Sequence, residues 1–308
     1  FEIYEKFTGD DPREVAMKIF PAVHYSMGGL YTTYTAQEDK HGMELGAPNN
    51  MMTNVPGLYA FGEVNYAYHG GTRLGANALL SCIFDGLFCG LSVANYVNDE
   101  DTSPASDVPD SAFEAAEQKE HDLVKKLVDS DGEHNPYHIH QKLGDIMTDK
   151  CTVIREDAGL KEAMGVVKQL REDYKDLKLS DTGMWTNQNL SFARALDDML
   201  IYADVMLKGS LLREESRGSH YRPDFPERDD SRFLKTTIAK YDGEGEPIIE
   251  FEDVPQPLVE PRARTYGSVE AKKEKEEPGG EGYSQRPEND SPHYSGKDGL
   301  AANKEGEK

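Results

Sequence analysis

Three stretches of the chain hold residue types and spacings that could do chemistry. Thr53–Glu63 reads TNVPGLYAFGE. Pro56-Gly57 marks a turn and Gly57–Phe61 a buried strand. Gly62 and Glu63 then stand at the strand's C-terminal edge, where open α/β sheets hold their ligands. The glycine lets backbone approach a bound molecule, and the carboxylate can accept hydrogen bonds from ribityl or ribose hydroxyls. The second stretch, 213–232, interleaves Arg213, Arg217, Arg222, Arg228 and Arg232 with Glu214, Glu215, Asp224, Glu227, Asp229 and Asp230, with Asp204 further off. That pattern is expected to be a structural ion-pair network rather than a ligand site. The third is His134, His138 and His140, in a Pro-containing loop without a cysteine, so no metal site is expected there.

Two motifs flank the Gly-Glu strand: His24-Tyr25-Ser26-Met27-Gly28-Gly29 before it, and HGGTRLGANAL, His69–Leu79, after it. With the 213–222 run (REESRGSHYR) and the PDFPERDD that follows, they resemble the succinate dehydrogenase/fumarate reductase flavoprotein family over roughly residues 15 to 240. The resemblance implies FAD as cofactor and succinate or fumarate as substrate. Arg73 then matches the family's substrate arginine, whose planar fork suits a carboxylate, and His24 its substrate histidine. Glu63 matches the FAD-binding acid, which is usually Asp in the family. Asn77, Ala78 and Leu79 match the next FAD contacts, at the start of a helix whose free N–H groups and dipole favour negative charge. Serine is common where Ala78 stands; a backbone contact survives that change and a hydroxyl contact does not. Gly28 and Gly29 would let the chain pass close to the flavin. His69 is expected only to shape its loop.

The resemblance further implies hydride transfer between succinate or fumarate and FAD. Electrons would pass to an iron–sulfur subunit and then to a quinone-binding membrane anchor. The subunit would be peripheral, at the cytoplasmic face of the inner (cell) membrane. No catalytic residue is assigned: the family's proton-delivering arginine and covalent flavin histidine are expected upstream. There is also no GxGxxG at a strand end, and the chain starts at Phe1. It therefore reads as the C-terminal part of a longer subunit, expected neither to hold FAD tightly nor to turn over alone. An L-aspartate oxidase-like FAD enzyme shares much of the motif set. A non-catalytic acidic helical interaction module is the other alternative.

Elements must position these residues. The 308 residues carry 34 Lys+Arg against 57 Asp+Glu, a net charge of −23, which argues against nucleic-acid binding. Cys82, Cys89 and Cys151 form no CxxC pair and are expected to be buried thiols. A short helix is expected at 10–20, capped by Asp10 or Asp11. Residues 78–97 read as a buried helix rather than a membrane span, because Asp85 and several small polar residues interrupt the apolar run. Helical periodicity then marks four amphipathic helices. The first runs through Phe113, Leu123, Leu127 and Val128, with a Ser111–Glu114 capping box. The second covers 141–155. The third carries Leu160, Met164, Val167, Leu170 and Tyr174, and the fourth Leu190 to Leu211.

The expected class is an α+β fragment: the end of an FAD-binding α/β domain, then a C-terminal helical bundle domain and a disordered acidic tail. The boundaries are 1–20 for the end of a capping domain and 21–100 for the C-terminal part of the FAD-binding domain. Residues 108–254 form the helical domain, its end from 209 extended and charged. Residues 255–308 form the tail, which has too few apolar residues to offset its ordering entropy.

Overall fold

The computed structural model of the chain describes residues 1–17, 24–39, 42–99, 107–241, 243, 245–254 and 261. The tail expectation at 255–308 falls outside these residues, apart from Pro261. Helix α1 spans Glu2–Thr8 and stops at Gly9, which takes the left-handed conformation (φ 77°) and returns its N–H to the Glu5 carbonyl. The helix expected at 10–20 is a single turn as far as it is described. The Asp11 carboxylate accepts from the Arg13 backbone and guanidinium (2.9 and 2.8 Å), and so closes its own turn instead of capping a longer helix.

Among the described residues from Ser26 to Val64 no continuous strand forms, and pairing is by single bridges: Leu30 with Asn65, Ala36 with Met43, Met52 with Tyr59. The strand expected at Gly57–Phe61 is therefore only a bridge among the described residues. A turn at Asn49–Met52 leads into the Met52–Tyr59 pair and one at Val55–Leu58 closes it, which leaves room for a single bridge. A single 3-10 turn, Gly62–Val64, ends the segment.

Helix α2 (Asn77–Phe84), a π-helical turn (Asp85–Cys89) and α3 (Gly90–Val97) form one rod. Its 21 residues are long and apolar enough to cross a membrane. The expectation of a buried helix holds for one face only. That face is polar: Ser81, Asp85 and Ser92 are buried together with Cys89, whereas Leu79, Leu80, Ile83, Leu87 and Leu91 are more than half exposed. The helix turns inward the side that has hydrogen-bond partners waiting. Asn50 Nδ2 reaches Ser92 Oγ at 3.2 Å, for example. Cys82 is exposed, against expectation, while Cys89 and Cys151 are buried.

Four longer helices follow: α4 (Asp110–Asp129), α5 (Pro136–Met147), α6 (Asp157–Tyr174) and α7 (Gln188–Leu212). α5 starts at Asn135, whose side chain accepts the Tyr137 N–H at 2.9 Å with Pro136 at the first helical position. α4 begins after Pro109 without a side-chain cap, so Ser111 lies inside the helix and the expected capping box does not form. Leu160, Val167, Leu196, Leu200 and Leu207 have no exposed surface and lie in one cluster with Leu127, Ile139, Leu143 and Leu170. The stripes read from 3.6-residue spacing thus point at one another, α7 lying against α4, α5 and α6. After a four-residue helix α8 (Asp230–Phe233), an antiparallel hairpin of β1 (Lys235–Lys240) and β2 (Ile248–Asp253) pairs Lys235 with Asp253 through Lys240 with Ile248. This hairpin replaces the expected extended end.

Leu200→Ala, at the centre of this cluster, is expected to cost about 2–5 kcal/mol. Leu212→Ala, at the half-exposed end of α7, should cost far less. Urea unfolding of the two variants, compared at equal slope, checks the contrast.

Candidate functional site

Glu63 stands in the Gly62–Val64 turn as an exposed side chain, and its Oε1 accepts the Ser26 N–H at 2.9 Å. The carboxylate thus ties the HYSMGG segment to the turn. Gly29 completes the tie. A Cβ there would lie 2.1 Å from the Val64 carbonyl oxygen, so only glycine lets the two backbones meet and Leu30 N–H reach that oxygen at 2.7 Å. Gly28, at φ 91°, is also left-handed, but a Cβ on it would meet no described atom within 4 Å. Close packing explains Gly29 and conformation explains Gly28.

Gly62 lies against α2, where a Cβ would come 2.7 Å from Cys82 Sγ. The closeness is held by Asp85, which is fully buried. Its Oδ2 accepts the Gly62 N–H at 2.6 Å and its Oδ1 accepts a short hydrogen bond from the Tyr68 hydroxyl. Burial, with the neighbouring Asp85 charge, pushes the Tyr68 hydroxyl far above the ordinary tyrosine range and the Cys89 thiol up to about 11. Asp85 carried a signal in the sequence, an acid inside an apolar helix, but its role as the anchor of the Gly-Glu turn was not read from it.

Arg73 is half-buried in the loop before α2. Its guanidinium lies over the Tyr25 ring, 5.1 Å from the centroid, and NH1 donates to the Leu74 carbonyl at 3.1 Å. Tyr25 also meets the His69 ring edge-on at 5.1 Å. Burial first, then the Arg73 charge, lowers the His69 pKa, and Ser81 Oγ stands 3.5 Å from its Nε2. Two buried polar atoms in this cluster, Arg73 Nε and the Tyr25 hydroxyl, have no hydrogen-bond partner among the described residues. His24 is exposed and joins the cluster only through its neighbour Tyr25. Asn77, Ala78 and Leu79 form the first turn of α2, after Ala76, a left-handed residue (φ 64°) that offers no side-chain cap. The side chain of Leu79 is 74% exposed, so its contribution would be a backbone one. Tyr25 was missed as a site residue; the sequence marks it only as part of HYSMGG.

The arginine-rich stretch behind this loop is the network its composition led us to expect. Glu215 is fully buried. It accepts from Arg213 NH1 (2.7 Å), Arg217 Nε (2.7 Å) and NH2 (2.9 Å), and the Asp229 N–H (2.9 Å). Burial pushes its carboxyl up, but these donors win and its pKa is lowered. Arg222, also buried, forks onto Asp224 at 2.8 and 2.7 Å and reaches the Ser210 carbonyl at the end of α7. Asp204, grouped with these acids by sequence, pairs instead with Arg171 of α6 at 2.8 Å. Of the three histidines weighed as metal ligands, His134 lies 3.9 Å from Asp173 and His140 packs edge-on to Phe192. No cluster of three metal-ligating side chains occurs among the described residues.

Residues 2–79 match the family described as FAD binding domain, and residues 140–266 match that described as Fumarate reductase flavoprotein C-term. The succinate dehydrogenase flavoprotein subunit of Bacillus subtilis is 44% identical over 273 residues, covering 88% of this chain and 44% of the relative. The fumarate reductase flavoprotein subunit of Proteus vulgaris is 30% identical, covering 89% and 43%. An Escherichia coli quinol fumarate reductase chain superimposes with a TM-score of 0.74 at 28% identity, covering 87% of this chain and 43% of its own. The chain therefore spans a little under half the length of these relatives. These matches place the chain among FAD-binding flavoproteins. Within that class it belongs to the succinate dehydrogenase/fumarate reductase flavoprotein subunit family.

The network contains one group whose titration can be followed. His220 is buried: Nδ1 accepts from Arg155 NH1 at 2.8 Å, so the proton sits on Nε2 and is donated to the Arg213 carbonyl at 3.0 Å. Burial pushes its pKa down to about 4; the carbonyl opposes this, and the charges of Arg155, Arg213 and Arg222 reinforce it. The unfolded chain binds a proton at about pH 6.5 and the folded chain only near 4. The neutral imidazole's stability is therefore complete above about 6.5 and is lost as pH falls toward 4, about 2 kcal/mol of it by pH 5. His220→Gln, whose amide offers the same acceptor and donor at every pH, should flatten that part of a stability-against-pH curve from denaturant titrations. An unchanged slope would count against a buried neutral His220.

Proposed function

We propose that the chain is the C-terminal portion of the flavoprotein subunit of a succinate dehydrogenase or fumarate reductase. The observation that carries the reading is Arg73. It is half-buried, held face-on by Tyr25 and a carbonyl rather than by a carboxylate, and its buried Nε is unpaired among the described residues. A guanidinium with an open edge is suited to clamp one carboxylate of a dicarboxylate. His24, one residue from Tyr25, is free to donate to the other. A neutral His69 beside Arg73 adds no competing charge for the dianion to divide between.

The residues present also fit an FAD group. α2 opens without a side-chain cap; Asn77 N–H is taken by the Leu74 carbonyl at 3.3 Å, and the N–H groups of Ala78 and Leu79 in the same first turn favour negative charge in front of the helix. Gly28 leaves open space on its side of the chain, and Glu63 keeps one oxygen for a hydroxyl donor. When bound, the flavin supplies the hydride acceptor or donor. The chain's own part is to hold the dicarboxylate in line with it and to exclude other orientations.

By the same reading, residues 1–20 end a capping domain and 21–100 complete the FAD-binding domain. Residues 108–254 are the C-terminal helical domain. Electrons pass on to an iron–sulfur subunit and a quinone-binding membrane anchor, with this subunit peripheral at the cytoplasmic face of the inner membrane. The solved relatives support that direction: they include a quinol fumarate reductase and a quinol-fumarate reductase with menaquinol molecules.

The test is succinate-dependent dye reduction by the FAD-loaded subunit that contains this chain, wild type against Arg73→Lys. Lysine keeps the charge and loses the fork. A fall of at least about 100-fold with flavin still bound is expected; unchanged turnover would remove Arg73 from the substrate site.

A further inference from the structure

The loop that carries Arg73 is rich in glycine, with Gly70, Gly71 and Gly75 around it, and such a loop does not hold a guanidinium in place by its own stiffness. Tyr25 packs on the loop's side chains, and a contact from the C-terminal segment fixes its backbone. The Gly71 carbonyl accepts both the backbone N–H and the hydroxyl of Ser219, each at 2.9 Å. The two segments touch so closely that Gly218 must be glycine and Gly71 has little room for a side chain. A Cβ on Gly218, at φ 61°, would lie 2.3 Å from the Gly71 oxygen and 2.9 Å from the Thr72 nitrogen; one on Gly71 would lie 3.0 Å from Arg217 Cγ.

Gly218 and Ser219 form the tip of a two-residue turn whose stems pair Arg217 with His220 (2.8 and 3.0 Å). Each stem is anchored in the buried network. Arg217 is held by Glu215 and by Asp230 at 2.7 Å, and His220 by Arg155 and the Arg213 carbonyl. The network is thus a rigid base, the turn its tip, and the tip bears on the loop two residues before Arg73. We propose that Gly218 and Ser219 are positioning residues for Arg73: the arginine-rich C-terminal segment is a strut that sets where the guanidinium stands. The role rests on the reading of Arg73 as the dicarboxylate clamp; the strut itself rests on geometry alone.

Two measurements separate these. The first is amide hydrogen exchange on the 308-residue chain, comparing the peptide spanning 69–77 in wild type, Gly218→Ala and Ser219→Ala. Faster exchange there in both variants, with α6 and α7 unchanged, is the expected result; an unaltered peptide overturns the strut. Ser219→Ala keeps the N–H and loses only a hydroxyl, so it reports even where Gly218→Ala fails to fold. The second is succinate kcat/KM in the FAD-loaded subunit. Gly218→Ala should lower it about 100-fold, and Ser219→Thr, which keeps both donors, should restore what Ser219→Ala loses. Adding Arg73→Lys to Gly218→Ala should then cost little more, because both changes act through one guanidinium. Full additivity, or faster exchange with kcat/KM untouched, overturns the positioning role. A wild-type subunit that does not turn over succinate defeats the functional reading instead, and leaves the exchange result to decide the strut.

Discussion

The buried carboxylate of Asp85 is the constraint on which the rest of the site depends. A charge without exposed surface needs donors on every side, and Asp85 finds them in the Gly62 N–H and the Tyr68 hydroxyl. Meeting that need brings the Gly-Glu turn against α2, at a distance only a glycine tolerates. The turn's Glu63 then fixes Ser26, Gly29 packs on Val64, and Tyr25 comes to lie under Arg73. A single acid in an apolar helix thereby arranges three segments that are far apart in sequence.

Electrostatics divides the arginines into two kinds. Those between 213 and 232 are all spent on carboxylates of the same segment, and the part-buried pairs of Arg213, Arg217 and Arg222 are ones whose loss on one side strands the other. Arg213 also bonds the Phe233 and Lys235 carbonyls, and so ties the β1–β2 hairpin to the end of α7. Arg73 is different: an aromatic face and a main-chain oxygen hold it, neither of which cancels its charge. In a chain of net charge −23, an uncancelled and half-buried cation is the kind of feature that attracts an anion at short range despite repulsion at long range.

What was legible in the sequence followed from strong periodicity and from motifs. Leu160, Val167, Leu196, Leu200 and Leu207 repeat at helical spacing and face one another in the core. The alternation of Arg with acids read correctly as ion pairing. What was not legible depended on partners. The 10–20 helix failed because Asp11 closes on Arg13, and the Gly57–Phe61 strand because turns interrupt its pairing. The rod from Asn77 to Val97 shows its apolar face, because the polar Ser81, Asp85 and Ser92 are the residues whose partners lie within the described chain. The hairpin at 235–253 is short, and half its residues are charged or exposed. Ser219 stands within the REESRGSHYR run, but nothing there signals its contact, since what it does is defined by a carbonyl at residue 71.

That last contact spans 148 residues, and it orders events during synthesis. A ribosome releases the Arg73 loop long before it makes the segment that braces it. Until then the loop closes nothing, and the chain must carry its HYSMGG and Gly-Glu segments partly assembled through the making of four helices. Contacts of such long range are late and slow to form, and segments waiting for them are exposed to misassociation. The glycines that let the two backbones meet so closely therefore close a loop of 148 residues, the kind of long-range pairing that slows folding.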